Sequence, residues 1–138
     1  MPLDESDELT GRVLDDRYRL MTYQSHAQAS VNYLAHDLET GDQVSIKIFG
    51  PSISEDLEFA RHLVVDATKA ALVSHPCIEQ VRDWGRFQES AYVVVEHCPG
   101  VTLRSFLAAG HRLNTAQVVK LGVELASGLE ALHGNEIC

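Results

Sequence analysis

Long apolar runs are missing from this 138-residue chain: stretches such as Ala91–Val95 stop far short of a membrane span, so no transmembrane segment is expected. Positive charge is scarce. Eleven Lys and Arg stand against 20 Asp and Glu, a net charge of −9, which argues against unspecific nucleic-acid binding and against docking on an anionic membrane surface. A nucleotide is not excluded, because its site needs only a local cation. Cysteine is sparse and odd in number. Cys77, Cys98 and Cys138 form no CxxC pair and no signal peptide precedes them, which reads as free thiols in a reducing cytoplasm. The seven histidines never adopt HExxH or another tight ligand spacing, so no metal is expected.

What is present is one domain's worth of residues, 45% hydrophobic and 22% charged, enough for a packed core. An acidic tail over 1–16 opens the chain, with Asp4, Glu5, Asp7 and Glu8 ahead of the first apolar run. Three strands are expected next, at 18–24, 29–37 and 43–49, the last two joined by the turn Leu38–Asp42 with Gly41 able to take positive φ. Ser52 and Glu55 read as a capping box for a helix reaching Val73, with Leu57, Ala60, Val64, Ala67 and Ala71 on one stripe and Phe59 and Leu63 beside it. Strands are expected again at 78–87 and 91–97. Thr102 then caps a short helix to Ala109, and Asn114 with Gln117 forms a capping box for a long helix. Val118, Leu121, Leu125, Leu129 and Leu132 share one face of that helix.

This order and four of its segments resemble the protein kinase family, in particular bacterial serine/threonine kinases. Val44-Ser45-Ile46-Lys47 is similar to the VAIK strand, and Ser74-His75-Pro76-Cys77-Ile78 to the HPNI turn after the αC helix. Tyr92 to Leu103 resembles the fifth strand and hinge. Leu125 to Ile137 resembles the helix that leads to the catalytic loop. The resemblance implies an α+β fold: a five-stranded antiparallel N-lobe with its helix, over 17–98 with the hinge, followed over 99–138 by the first two helices of an incomplete C-lobe. The His-Arg-Asp, Asp-Phe-Gly and Ala-Pro-Glu motifs do not occur in the 138 residues. They would supply the catalytic base and metal ligands, so the chain as it stands is not expected to transfer phosphate.

The resemblance also assigns candidate nucleotide-binding residues. Lys47 takes the place of the lysine that contacts the α and β phosphates, and Asp66 that of its acidic partner on αC, one methylene shorter. Ser45 lies in the VAIK strand, Val95 at the gatekeeper, and Glu96 and Cys98 in the hinge, where backbone groups would meet the adenine edge. The residue packing on adenine is Asn32, or Val31 if the register moves by one. The three glycine positions of the phosphate loop become Ser25, Ala27 and Ser30, and no glycine occurs between Tyr23 and His36. Side chains there hinder the close approach of backbone N–H groups to phosphates. Trp84 and His133 read as packing residues.

Two functions follow as expectations. One is a pseudokinase-type binding or regulatory module with weak ATP binding at most, no metal, a protein partner and a homodimer through the 115–133 helix. The other is the N-terminal part of a larger serine/threonine kinase.

Overall fold

The computed structural model describes residues 9–27, 30–50 and 57–137. Alternating apolar residues up to Glu96 give a six-stranded antiparallel sheet in the order β1-β2-β3-β4-β6-β5. The strands are β1 (Val13–Leu14), β2 (Tyr18–Ala27), β3 (Ser30–Asp37), β4 (Gln43–Phe49), β5 (Val81–Phe87) and β6 (Ser90–Glu96). Strand β4 shows how the pattern works. Val44, Ile46 and Ile48 are buried on one face, leaving Ser45 and Lys47 on the other. The buried face joins Leu14, Tyr18, Leu20, Tyr33, Ala35, Tyr92 and Val94 in one core.

The sheet has one strand more than the expected five, because β1 lies inside the stretch 1–16 read as an acidic tail. Val13 and Leu14 pair with Arg19 and Tyr18, and Leu14 is fully buried. Two apolar residues are too few to show a period, so the pairing could not be read from them. Asp15 and Asp16 turn the chain between β1 and β2 with φ of 48° and 55°. Gly41 takes φ +80° in the β3–β4 turn, as its sequence required. The strand expected at 78–87 contracts to Val81–Phe87, and the one expected at 91–97 lies one residue earlier, at Ser90–Glu96.

Helix α1 (Leu57–Ala71) follows β4; the expected Ser52–Glu55 capping box lies outside the described residues. Its inward face is Ala60, Leu63, Ala67, Ala70 and Ala71, with Phe59 edge-on to Phe49 at 5.3 Å, while Val64 is half-exposed. Helix α2 (Leu103–Ala108) is capped by Thr102, whose hydroxyl accepts from the Ser105 N–H. Helix α3 (Thr115–Gly134) opens on the expected capping box, with Asn114 and Gln117 bonding each other's backbone at 2.9 Å. It docks through Gly128, which is buried against Cys77 and Ile78. Beside it Ser127 Oγ meets His75 Nε2 at 3.0 Å. The Cys77 N–H donates to His75 Nδ1, so that ring carries its proton on Nε2 and donates it to Ser127.

Candidate nucleotide site

The exposed face of the sheet carries the candidate residues, and strand register decides their company. Directly opposed residues of antiparallel strands share a face. Ser25 opposes Asn32, Asn32 opposes Lys47, Lys47 opposes Val93, and Val93 opposes Trp84. One rung therefore crosses five strands. The next rung on the same face holds Leu34, Ser45 and Val95.

This register resolves the alternative between Val31 and Asn32. Val31 opposes Ile48 and packs against the core, so it does not face the cleft and its assignment to a nucleotide site is corrected. Asn32 holds the cleft position, where its Nδ2 donates to Ser25 Oγ at 3.0 Å. The faces are fixed by the regular pairing of β3 with β4, where Val31 meets buried Ile48 and Asn32 meets Lys47.

The expected pair of Lys47 with Asp66 is not formed. Both side chains are exposed, and among the described residues neither enters an ion pair. The reason is helical phase. The position of α1 that turns inward is Ala67, 5% exposed, and Asp66 lies about 100° around the helix from it. The acid is present in the sequence, but its carboxylate is not held beside the lysine.

The phosphate-loop positions Ser25, Ala27 and Ser30 belong to the β2–β3 hairpin. Ala27 opposes Ser30 and Ser25 opposes Asn32. Ser30 is buried. A Cβ at each of these positions hinders the close approach of backbone N–H groups to an anion. In the hinge, the Glu96 N–H donates to Gln80 O at 2.9 Å, and Glu96 Oε1 accepts from the Gln80 N–H at 3.0 Å. Cys98 is exposed, and partial desolvation with the carboxylates of Glu79 and Glu96 pushes its thiol pKa up, so it is no activated nucleophile. Val95 is half-buried across from Ser45, whose Oγ lies 3.5 Å from His97 Nδ1.

A set of side chains missed in the sequence lies on the opposite face. Tyr18 Oη donates to Asp83 at 2.7 Å, Tyr92 Oη donates to Asp15, and the two rings meet edge-on at 6.3 Å. Burial first, then the facing carboxylate, raises both phenol pKa values far above the usual range. Arg17 grips Asp37 with two hydrogen bonds of 3.0 and 2.9 Å. No motif signals these pairs, because their partners lie 20 to 77 residues apart. They fasten β1 and the β3–β4 turn to the sheet.

A lysine on a sheet face, a helix beside it, a hinge and a helical start to a second lobe define a kinase-type fold. Residues 23–138 match the family model for the protein tyrosine and serine/threonine kinase domain, and the chain belongs to that family. It is 27% identical to the serine/threonine-protein kinase PrkC of Bacillus subtilis (strain 168) across 94% of its own length, and 28% identical to PknB of Mycobacterium leprae (strain TN) across 90%. It spans only about a fifth of each relative, 20% and 21%. Crystal structures of the Mycobacterium tuberculosis PknI kinase domain share its fold. One superposes with a TM-score of 0.80 at 21% identity, covering 91% of this chain and 52% of the PknI chain. A point variant of that domain, with one cysteine replaced by alanine, gives 0.83, covering 93% and 53%.

The family uses ATP with a metal ion. Side chains at Ser25, Ala27 and Ser30 do not fit the glycine cradle such a ligand needs, and the polar Asn32 does not fit its apolar roof. Among the described residues no cluster of three His, Cys, Asp or Glu could hold a metal, and no helix is long and apolar enough to cross a membrane.

Proposed function

We propose that the chain acts as a pseudokinase-type binding or regulatory module in the cytoplasm, binding ATP weakly at most and working by contact with a protein partner. The observation that carries this reading is the set of side chains at Ser25, Ala27 and Ser30 in place of glycines, with Asn32 bonded to Ser25 beside them. The unpaired Lys47 and Asp66 support it. Thermal-shift titration is the test, since a ligand of the native state stabilises by RT ln(1 + [L]/Kd). Micromolar ATP is expected to leave the melting temperature unmoved, with or without Mg²⁺. A shift of several degrees that Mg²⁺ enlarges would overturn the reading.

A second reading is favoured by the fraction of each relative that the chain spans. In it these residues are the nucleotide-facing part of a longer serine/threonine kinase that transfers the ATP γ-phosphate to protein. An in-frame His-Arg-Asp and Asp-Phe-Gly beyond Cys138 in the gene would select this reading over the first.

A further inference from the structure

Strand β1 is two residues long and sits at the edge of the sheet, yet Leu14 is fully buried and Leu9 packs against the same core. Contact with the sheet holds this arm in place. The Gly11 N–H donates to Leu20 O at 2.7 Å and the Leu20 N–H to Arg12 O at 2.9 Å, while Val13 and Leu14 pair with Arg19 and Tyr18. A sheet that takes its arm through such contacts accepts the identical arm of a second copy equally well. The connection to β2 is a strained turn. The Arg17 N–H closes it on Leu14 O at 2.9 Å, and both central residues, Asp15 and Asp16, hold positive φ. Turns of that kind favour Asn and Gly, because a Cβ penalises the left-handed region. The two exposed aspartates also crowd like charge, with Glu39 lining the same hollow. Extended backbone at 15–16 relieves both φ angles and sends the two side chains to opposite faces.

We propose that residues 9–14 exchange between two copies of the chain. The turn opens, β1 and β2 run on as one strand, and each Leu14 fills the core of the other copy in a twofold, domain-swapped dimer. The swapped form keeps the pairing of β1 with β2 and gives up the turn. A short hinge under strain favours that exchange. The arm must first leave its own sheet, so the dimer forms on folding at high concentration, and chains folded when dilute stay closed. The contact uses neither the open sheet face nor α3, so it goes beyond the module reading and does not rest on it.

The test refolds the 138-residue chain from urea at millimolar and at micromolar concentration. The chain carries Leu125→Glu and Leu129→Glu, which removes association through the exposed face of α3. Size-exclusion chromatography with light scattering is expected to show a dimer after millimolar refolding and a monomer after micromolar refolding. In a dimer refolded from equal parts of ¹³C-labelled and unlabelled chain, isotope-filtered NMR should find the Leu14 methyls of one copy against the Tyr18 ring of the other. Asp16→Gly takes positive φ freely and is expected to lower the dimer fraction about fivefold or more. Asp16→Pro, fixed at φ of about −65°, cannot close the turn and is expected to dimerise even at micromolar concentration. No dimer after millimolar refolding, a dimer whose Leu14–Tyr18 contacts lie within one copy, or an unchanged dimer fraction in Asp16→Gly would each overturn the exchange. Asp16→Gly suits the closed turn, so its comparison with the parent decides the matter even where Asp16→Pro fails to fold.

Discussion

Asp37 shows how much one buried group can control. It is 1% exposed, and its carboxylate accepts two bonds from Arg17 and two more from the backbone N–H groups of Glu39 and Thr40. The Arg17 bonds come first among the causes that hold its pKa well below the usual carboxylate range. A carboxyl whose folded pKa is depressed contributes stability that is present above its unfolded pKa, near 4, and that is lost as pH falls toward the folded value. Unfolding followed from pH 6 to pH 2 should therefore show stability declining below about pH 4. Asp37→Asn should remove part of that slope and destabilise the fold by about 2 kcal/mol at neutral pH, reduced because Arg17 is partly solvated. The tyrosines act with the opposite sign. Tyr18 and Tyr92 have raised folded values, so their contribution is intact below pH 10 and declines above it. Gly85 is tied to the same cluster, since a Cβ there would lie 2.7 Å from Tyr92 Oη and 2.9 Å from Asp15 Oδ2. Gly85→Ala should destabilise by about 1–3 kcal/mol in urea unfolding. Asp66→Ala, by contrast, should stay within about 0.5 kcal/mol of the parent, because its carboxylate faces solvent.

At the scale of elements, helix caps are where local chemistry and structure agree most closely. Asn114 and Gln117 satisfy each other's backbone, so Asn114→Ala should cost about 1 kcal/mol and speed amide exchange in the first turn of α3. Such features were legible because they depend on residues three apart. So were β4, with its strict alternation, and α2 with its Thr102 cap. Less legible was everything fixed by phase or register between distant segments. The apolar stripe on α1 points to Ala67 while the family resemblance points to Asp66 beside it, and only the packing partner decides that Ala67 turns inward. Which of Asn32 and Val31 lies on the open face likewise follows from the pairing of β3 with β4. β1 is short enough that only its pairing with Tyr18 and Arg19 reveals it. The kinase family itself was legible from four ordered segments. The candidate site was legible in its residue list and less so in its geometry, because two of its members, Val31 and Asp66, depend on those longer-range choices.

For the whole molecule, the two halves differ in how well they are closed. The sheet buries its core on its own, whereas α3 holds only Gly128 fully buried, with Leu121, Ala131 and Leu132 partly covered beside it. The expected five-residue stripe is thereby split. Leu121 and Leu132 turn toward the body, while Val118, Leu125 and Leu129 remain 54%, 58% and 52% exposed. Val118, Gly122, Leu125 and Leu129 follow spacings of four, three and four, a pattern that reads the same from either end. Two antiparallel copies can therefore align Val118 with Leu129 and set each Leu125 into the gap at the other's Gly122. An isologous pair of this kind closes on itself. We expect the chain to associate through this face as a twofold dimer. Sedimentation at high micromolar concentration should give twice the chain mass, and Leu125→Glu with Leu129→Glu should return it to 15.2 kDa. Because both leucines are more than half exposed, the double variant should keep the parent's strand and helix signals in circular dichroism. A parent that sediments as a monomer with α3 formed would show that this face is left to another partner.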